Sequence, residues 1–74
     1  MNPEETNSIG YTYIDSINNP ESVIEVYIKN DATQVREYKC LNYNRCKTYD
    51  YGLSEYLDRY KDHPIRKKII EAIY

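Results

Sequence analysis

Apolar and polar residues alternate from Val23 to Lys29, with Ile24, Val26 and Ile28 on one side of an extended chain and Val23, Glu25, Tyr27 and Lys29 on the other. That period of two predicts a strand with one face in a core and the other half wet. Ile9, Tyr11 and Tyr13 alternate with Gly10, Thr12 and Ile14, which predicts a first strand over 9–14. Between the two, Asp15 to Ser22 reads as a connecting loop, because Pro20 restricts Asn19 to extended or turn geometry. Asn30-Asp31 suits a tight turn, and Thr33 to Leu41 supplies a third strand. With a three-residue loop, Glu25 would face Lys39 and Tyr27 would face Glu37 on the outside of the hairpin, other registers remaining open.

Beyond Leu41 the pattern changes. Asn42 to Lys47 is polar and turn-prone and reads as an exposed loop. Leu53, Tyr56, Leu57 and Tyr60 then recur at helical spacing, an amphipathic helix of about three turns with Glu55, Asp58, Arg59 and Lys61 facing outward. It stops near Asp62-His63-Pro64, where Pro64 fits the first turn of a second helix and Asp62 or His63 its N-cap. Ile65, Ile69, Ile70 and Ile73 continue the apolar face, with Arg66, Lys67, Lys68 and Glu71 on the wet one. The expected architecture is α+β: a small antiparallel three-stranded sheet covered by two C-terminal helices. Residues 8–74 are expected to form one domain, and residues 1–7, which hold Pro3, Glu4 and Glu5, are expected to be a disordered arm.

Composition changes this picture in one respect. Ile, Leu and Val number nine, three and three, with no Phe or Trp, so the ten tyrosines must complete a core that is aliphatic at its centre and tyrosine at its rim. A chain of 74 residues buries only about 60% of its unfolded surface, so stability should be modest. The acidic, polar start is unlike a secretory leader, and no apolar run approaches the roughly 20 residues needed to cross a bilayer. A cytoplasmic location is expected, that of a host cell if the protein is viral. In such a reducing compartment Cys40 and Cys46 are expected as thiols.

Candidate chemistry is sparse. Two cysteines and the single His63 fall short of a structural zinc site, and two glycines cannot form a phosphate-cradling loop. His63 reads as a helix-start residue, and the C-x5-C spacing differs from the C-x-x-C of a redox helix. An enzyme built on Cys40 or Cys46 with His63 is therefore a remote option, and neither cofactor nor metal is expected.

Charge placement is more informative. Residues 1–31 carry Glu4, Glu5, Asp15, Glu21, Glu25 and Asp31 against Lys29, whereas residues 32–74 carry an excess of three basic groups. Tyr43, Arg45, Lys47, Tyr49 and Tyr51 mix aromatic and basic residues. Tyrosine supplies large amphipathic contact area and is enriched in interfaces, so Tyr43, Arg45, Tyr49 and Tyr51 are the expected contacts with a larger protein or nucleoprotein. Glu21, Glu25 and Asp31 are available where the target is basic. The expected function is a non-enzymatic binding domain that occludes a functional surface, in the manner of virus- or phage-encoded inhibitors, anti-CRISPR proteins and host-takeover factors, which it resembles in size and acidity. The alternative is a single-stranded nucleic-acid module using Tyr43, Arg45, Lys47, Lys67 and Lys68, with bases on tyrosine and phosphates on the cations. A homodimer paired through an edge strand is the further alternative.

Ser8-Ile9-Gly10-Tyr11, followed by Ile24-Glu25-Val26-Tyr27-Ile28-Lys29-Asn30 and Val35 to Tyr38, is similar to the opening hairpin of the KTSC domain. The similarity covers less than half of the chain, and the later Ser-x-Gly element of that family is missing. The resemblance implies a compact strand-hairpin-and-helix module without established catalysis.

Overall fold

The computed structural model describes residues 10–41 and 45–73. Within them, β1 (Tyr11–Asn18), β2 (Ser22–Lys29), β3 (Gln34–Leu41) and β4 (Arg45–Gly52) form an antiparallel sheet in the order β1-β2-β3-β4. Two helices follow, α1 (Leu53–Arg59) and α2 (Pro64–Ile73). The α+β class is as expected, but the sheet has four strands rather than three. Arg45, Cys46 and Lys47, expected in a loop, open the fourth strand, which pairs with β3 without interruption from Gln34↔Gly52 to Leu41↔Arg45. Its residues are exposed except for half-buried Tyr51, so it shows little of the apolar signal by which strands are recognised. Residues 42–44, the arm 1–7 and Ile9 lie outside the described residues.

β1 also runs further than expected, through Asp15 to Asn18, because of a bulge. Tyr13 pairs with Tyr27 but Asp15 with Val26, so Ile14 is an extra residue in β1. Ile14 and Ile17, three apart, both pack against the core, which strict alternation forbids and one inserted residue permits. The connection to β2 is then only residues 19–21, closed by the Asn19 N–H donating to the Ser22 carbonyl at 2.8 Å.

The β2–β3 register differs from expectation by one residue. The loop holds four residues, 30–33, and pairs Tyr27 with Arg36 and Glu25 with Tyr38. The Ala32 N–H donates to the Lys29 carbonyl at 2.7 Å, with Ala32 at φ 60°, while Asp31 Oδ1 accepts from the Thr33 N–H (3.0 Å) and hydroxyl (2.6 Å). A one-residue slip moves every side chain to the other face. Glu37 is accordingly opposite Val26 on the core side, instead of outside against Tyr27.

Ile24, Val26, Ile28 and Val35 line that core side and pack beneath Tyr56, Ile65 and Ile69 of the helices. Tyr56 is fully buried at the centre, so tyrosine is not confined to the rim. α1 is seven residues, about two turns instead of three, and its Leu53 N–H donates to the Thr33 carbonyl at 3.1 Å. As expected, Pro64 opens α2 and His63 caps it: His63 Nδ1 accepts the Ile65 N–H at 3.1 Å.

Cys40 and Cys46 are opposite one another in β3 and β4, with Cα atoms 4.0 Å apart, and form a disulfide. The expectation of two thiols is therefore corrected. It presumed a loop around Cys46, whereas the ladder brings the two residues into register.

Candidate functional site

On the helix side of the sheet, Val35, Glu37, Lys39 and Leu41 of β3 share a face, as do Arg45, Lys47, Tyr49 and Tyr51 of β4. At the end nearer the helices this face is closed. Glu37 is only 4% exposed, and its Oε2 accepts the hydroxyls of Tyr56 (2.7 Å) and Tyr60 (3.1 Å) of the α1 region. The Tyr51 ring lies 5.5 Å from that of Tyr56, with the Arg59 guanidinium 5.1 Å from its centroid. Burial, reinforced by the Glu37 charge and hydrogen bond, pushes the Tyr56 hydroxyl far above its ordinary pKa, and burial followed by Glu37 raises Tyr51 and Tyr60 as well. These tyrosines hold a buried carboxylate, and the network fixes α1 on the sheet.

Toward the other end the same face emerges from under the helices and becomes basic. Lys39 and Lys47 are directly opposite each other, and Arg45 follows opposite Leu41. Leu41 and Tyr49 are each 39% exposed on this surface, so it also carries apolar area. Among the described residues no carboxylate lies within ion-pair distance of Lys39, Arg45 or Lys47; the ion pairs are Lys29 with Asp31, Arg36 with Asp50, and Lys68 with Asp15. Like charges directly opposite in an antiparallel pair are destabilising, by up to about 1 kcal/mol. The strip is thus a basic, tyrosine-bearing patch whose repulsion an anionic partner would relieve.

The outer face is organised differently. Arg36 donates to Asp50 through Nε (2.7 Å) and Nη2 (3.1 Å) and lies 4.1 Å over the Tyr11 ring, while Tyr13 meets Tyr27 edge-on at 5.6 Å. There Arg36 has both a carboxylate and an aromatic partner.

Of the expected contacts, Arg45 and Tyr49 lie together on the strip with Lys47, and Tyr51 sits at its inner end, occupied by Tyr56 and Arg59. Tyr43 lies outside the described residues. Glu21, Glu25 and Asp31 do not converge. Glu21 is exposed in the β1–β2 turn, Glu25 accepts the Tyr27 hydroxyl at 3.2 Å, and Asp31 is held in the β2–β3 turn, where its hydrogen bonds to Thr33 lower its pKa. Lys67 and Lys68 belong to α2, where Lys68 reaches Asp15 of β1 at 3.6 Å. β1 and β4 are opposite edges of the sheet, about 14 Å apart at ordinary strand spacing. Sequence reasoning missed Lys39 and Leu41, placed by register alone, and the role of Glu37. The spacing of two between Arg45, Lys47, Tyr49 and Tyr51 was the signal for the strip.

No family model matches the chain, and no curated protein or solved structure matches it. Among the described residues, no three His, Cys, Asp or Glu side chains converge as metal ligands, and no helix is long and apolar enough to cross a membrane.

Proposed function

We propose that the protein is a small non-enzymatic binding domain that docks on, and thereby occludes, an acidic functional surface of a larger protein or nucleoprotein. The observation that carries this reading is the strip of half-buried Lys39 with exposed Arg45, Lys47 and Tyr49, beyond the helices and without carboxylate partners among the described residues. A directly opposed lysine pair is a stability cost that folding alone does not require. The flanking Tyr49 and Leu41 add the apolar area that a protein interface uses at its centre. Virus- and phage-encoded inhibitors, anti-CRISPR proteins among them, act by such occlusion, and that is the class of regulator proposed.

The nucleic-acid alternative is less well supported by the same geometry. Its two basic groups lie on β4 and on α2, which packs toward the far edge of the sheet, where Lys68 reaches Asp15 of β1. The test is capture from lysate of the native or host cell, with and without nuclease, using wild type and Lys47→Glu. The docking reading expects a protein retained in both lysates and lost with the variant. Retention that vanishes on nuclease treatment would transfer the strip to nucleic acid, and retention indifferent to Lys47→Glu would remove it from the interface.

A further inference from the structure

We infer that the Cys40–Cys46 disulfide is a site of reversible thiol exchange, opened at the Cys46 sulfur by a small anionic thiol of the glutathione class. The site is independent of the docking reading and lies on the opposite face of the same two strands. Alternation sets Lys39, Leu41, Arg45 and Lys47 on the helix side of β3 and β4, and therefore Cys40 and Cys46 on the outer side.

The bond adds little that the ladder does not already fix. Six consecutive pairs, from Gln34↔Gly52 to Lys39↔Lys47, precede Cys40↔Cys46, and Leu41↔Arg45 follows it. The cysteines are only six positions apart, and a cross-link gains least where the loop it closes is short. The disulfide can therefore open while the strands stay paired, which thiol exchange in a folded protein requires.

Access and charge then define the reaction. Cys46 is exposed, whereas Cys40 is half-buried and has Val23 of β2 opposite it on its other side, so Cys46 receives the attack and Cys40 is the leaving group. Lys39 precedes Cys40 in the chain, and Arg45 and Lys47 flank Cys46. Chain neighbours have Cα atoms about 3.8 Å apart, inside the Debye length of roughly 8 Å at physiological ionic strength, so the field of these cations reaches the sulfurs. Nearby carboxylates of the outer face are engaged: Glu25 accepts the Tyr27 hydroxyl, and Asp50 pairs with Arg36. The cations thus draw in an anionic thiol and stabilise the thiolate that departs.

The step balances with the thiol alone. Its thiolate sulfur bonds to Cys46 Sγ as the S–S bond breaks, the electron pair leaves on Cys40 Sγ, and that sulfur takes up the proton the thiol had released. Attack by Cys40 on the mixed disulfide restores the bond. Attack by a second thiol completes the reduction, two thiols being oxidised to one disulfide as the protein gains two thiols.

The experiment starts from the full chain isolated without reductant and treats it at low salt with glutathione or, at equal thiolate concentration, cysteamine, followed by acid quench, alkylation and peptide mass spectrometry. The expected product carries glutathione on Cys46 and alkyl on Cys40, with the circular dichroism of the sheet retained. Glutathione should react about tenfold or more faster than cysteamine, an advantage that high salt removes and Lys47→Glu reduces. Glutathione mapped to Cys40, or equal rates for the two thiols, would overturn the inference. Exchange confined to urea concentrations that unfold the sheet would also overturn it, by assigning the disulfide a structural role. Two alkylatable thiols before any thiol is added would refute it outright.

Discussion

Replacing Tyr56 by Phe removes one oxygen from the most buried polar contact among the described residues while keeping the ring. The Tyr56 hydroxyl donates to Glu37 Oε2 at 2.7 Å, with Tyr56 fully buried and Glu37 4% exposed. A hydrogen bond to a charged group is worth about 1.5–3 kcal/mol, so the variant should lose about 2 kcal/mol. In a domain of this size that corresponds to a fall in Tm of about 8–16 °C. Tyr60→Phe removes the longer, 3.1 Å bond of a half-buried side chain and should cost about 1 kcal/mol. The double variant should exceed the sum by about 1 kcal/mol or more, because Glu37 then keeps neither tyrosine donor. Glu37→Gln, which can still accept a bond, serves as the third corner of the cycle. Urea denaturation at neutral pH, with unchanged m-values, gives each difference directly. A Tyr56→Phe midpoint within about 0.5 kcal/mol of wild type would refute the claim that this network holds α1 to the sheet.

The same network makes stability pH-dependent on the alkaline side. Tyr56 keeps its proton in the folded state while an unfolded tyrosine loses one near pH 10, so this contribution is complete below that pH and declines above it by about 1.4 kcal/mol per unit; urea midpoints across the range should show a shallower decline for Tyr56→Phe. Reducing the disulfide, whose cysteines are six apart, removes a small-loop constraint and should cost about 2 kcal/mol while the circular dichroism of the folded sheet persists; no change in midpoint with a phosphine reductant would contradict this. Arg36→Met loses both the paired bonds to Asp50 and the contact with Tyr11 and should cost about 1–2 kcal/mol by the same assay, against little change for exposed Arg66→Met. Lys47→Glu turns a like-charge pair with Lys39 into an opposite-charge one and should raise stability by about 0.5–1 kcal/mol, an effect that high salt abolishes.

Strong periodicity was legible, and its interruptions were not. Ile24, Val26 and Ile28 announced β2, and the helical spacing of Leu53, Tyr56, Leu57 and Tyr60 announced α1, because each buries one face against the other layer. Ile14 and Ile17 hid the continuation of β1, since a bulge breaks the period on which the reading depends. A three-residue β2–β3 loop would set Glu37 on the outer face against Tyr27, and the sequence carries no signal for the four-residue loop that turns it to the core side. Its burial became intelligible only with Tyr56 and Tyr60, separated from it by 19 and 23 residues. β4 was missed for a related reason: an edge strand exposed along most of its length has no need of the aliphatic residues that mark strands. The candidate strip was half visible as Arg45, Lys47 and Tyr49, and only the register added Lys39.

The most direct test of the central claim is to measure Lys47→Glu twice, once by urea denaturation and once by capture from nuclease-treated lysate of the native or host cell. The expected variant is more stable than wild type and no longer retains the wild-type partner, which means that the opposed lysines are kept for binding at the expense of the fold. A variant that retains the same partner undiminished, whatever its stability, would contradict the assignment of the β3–β4 strip as the docking surface.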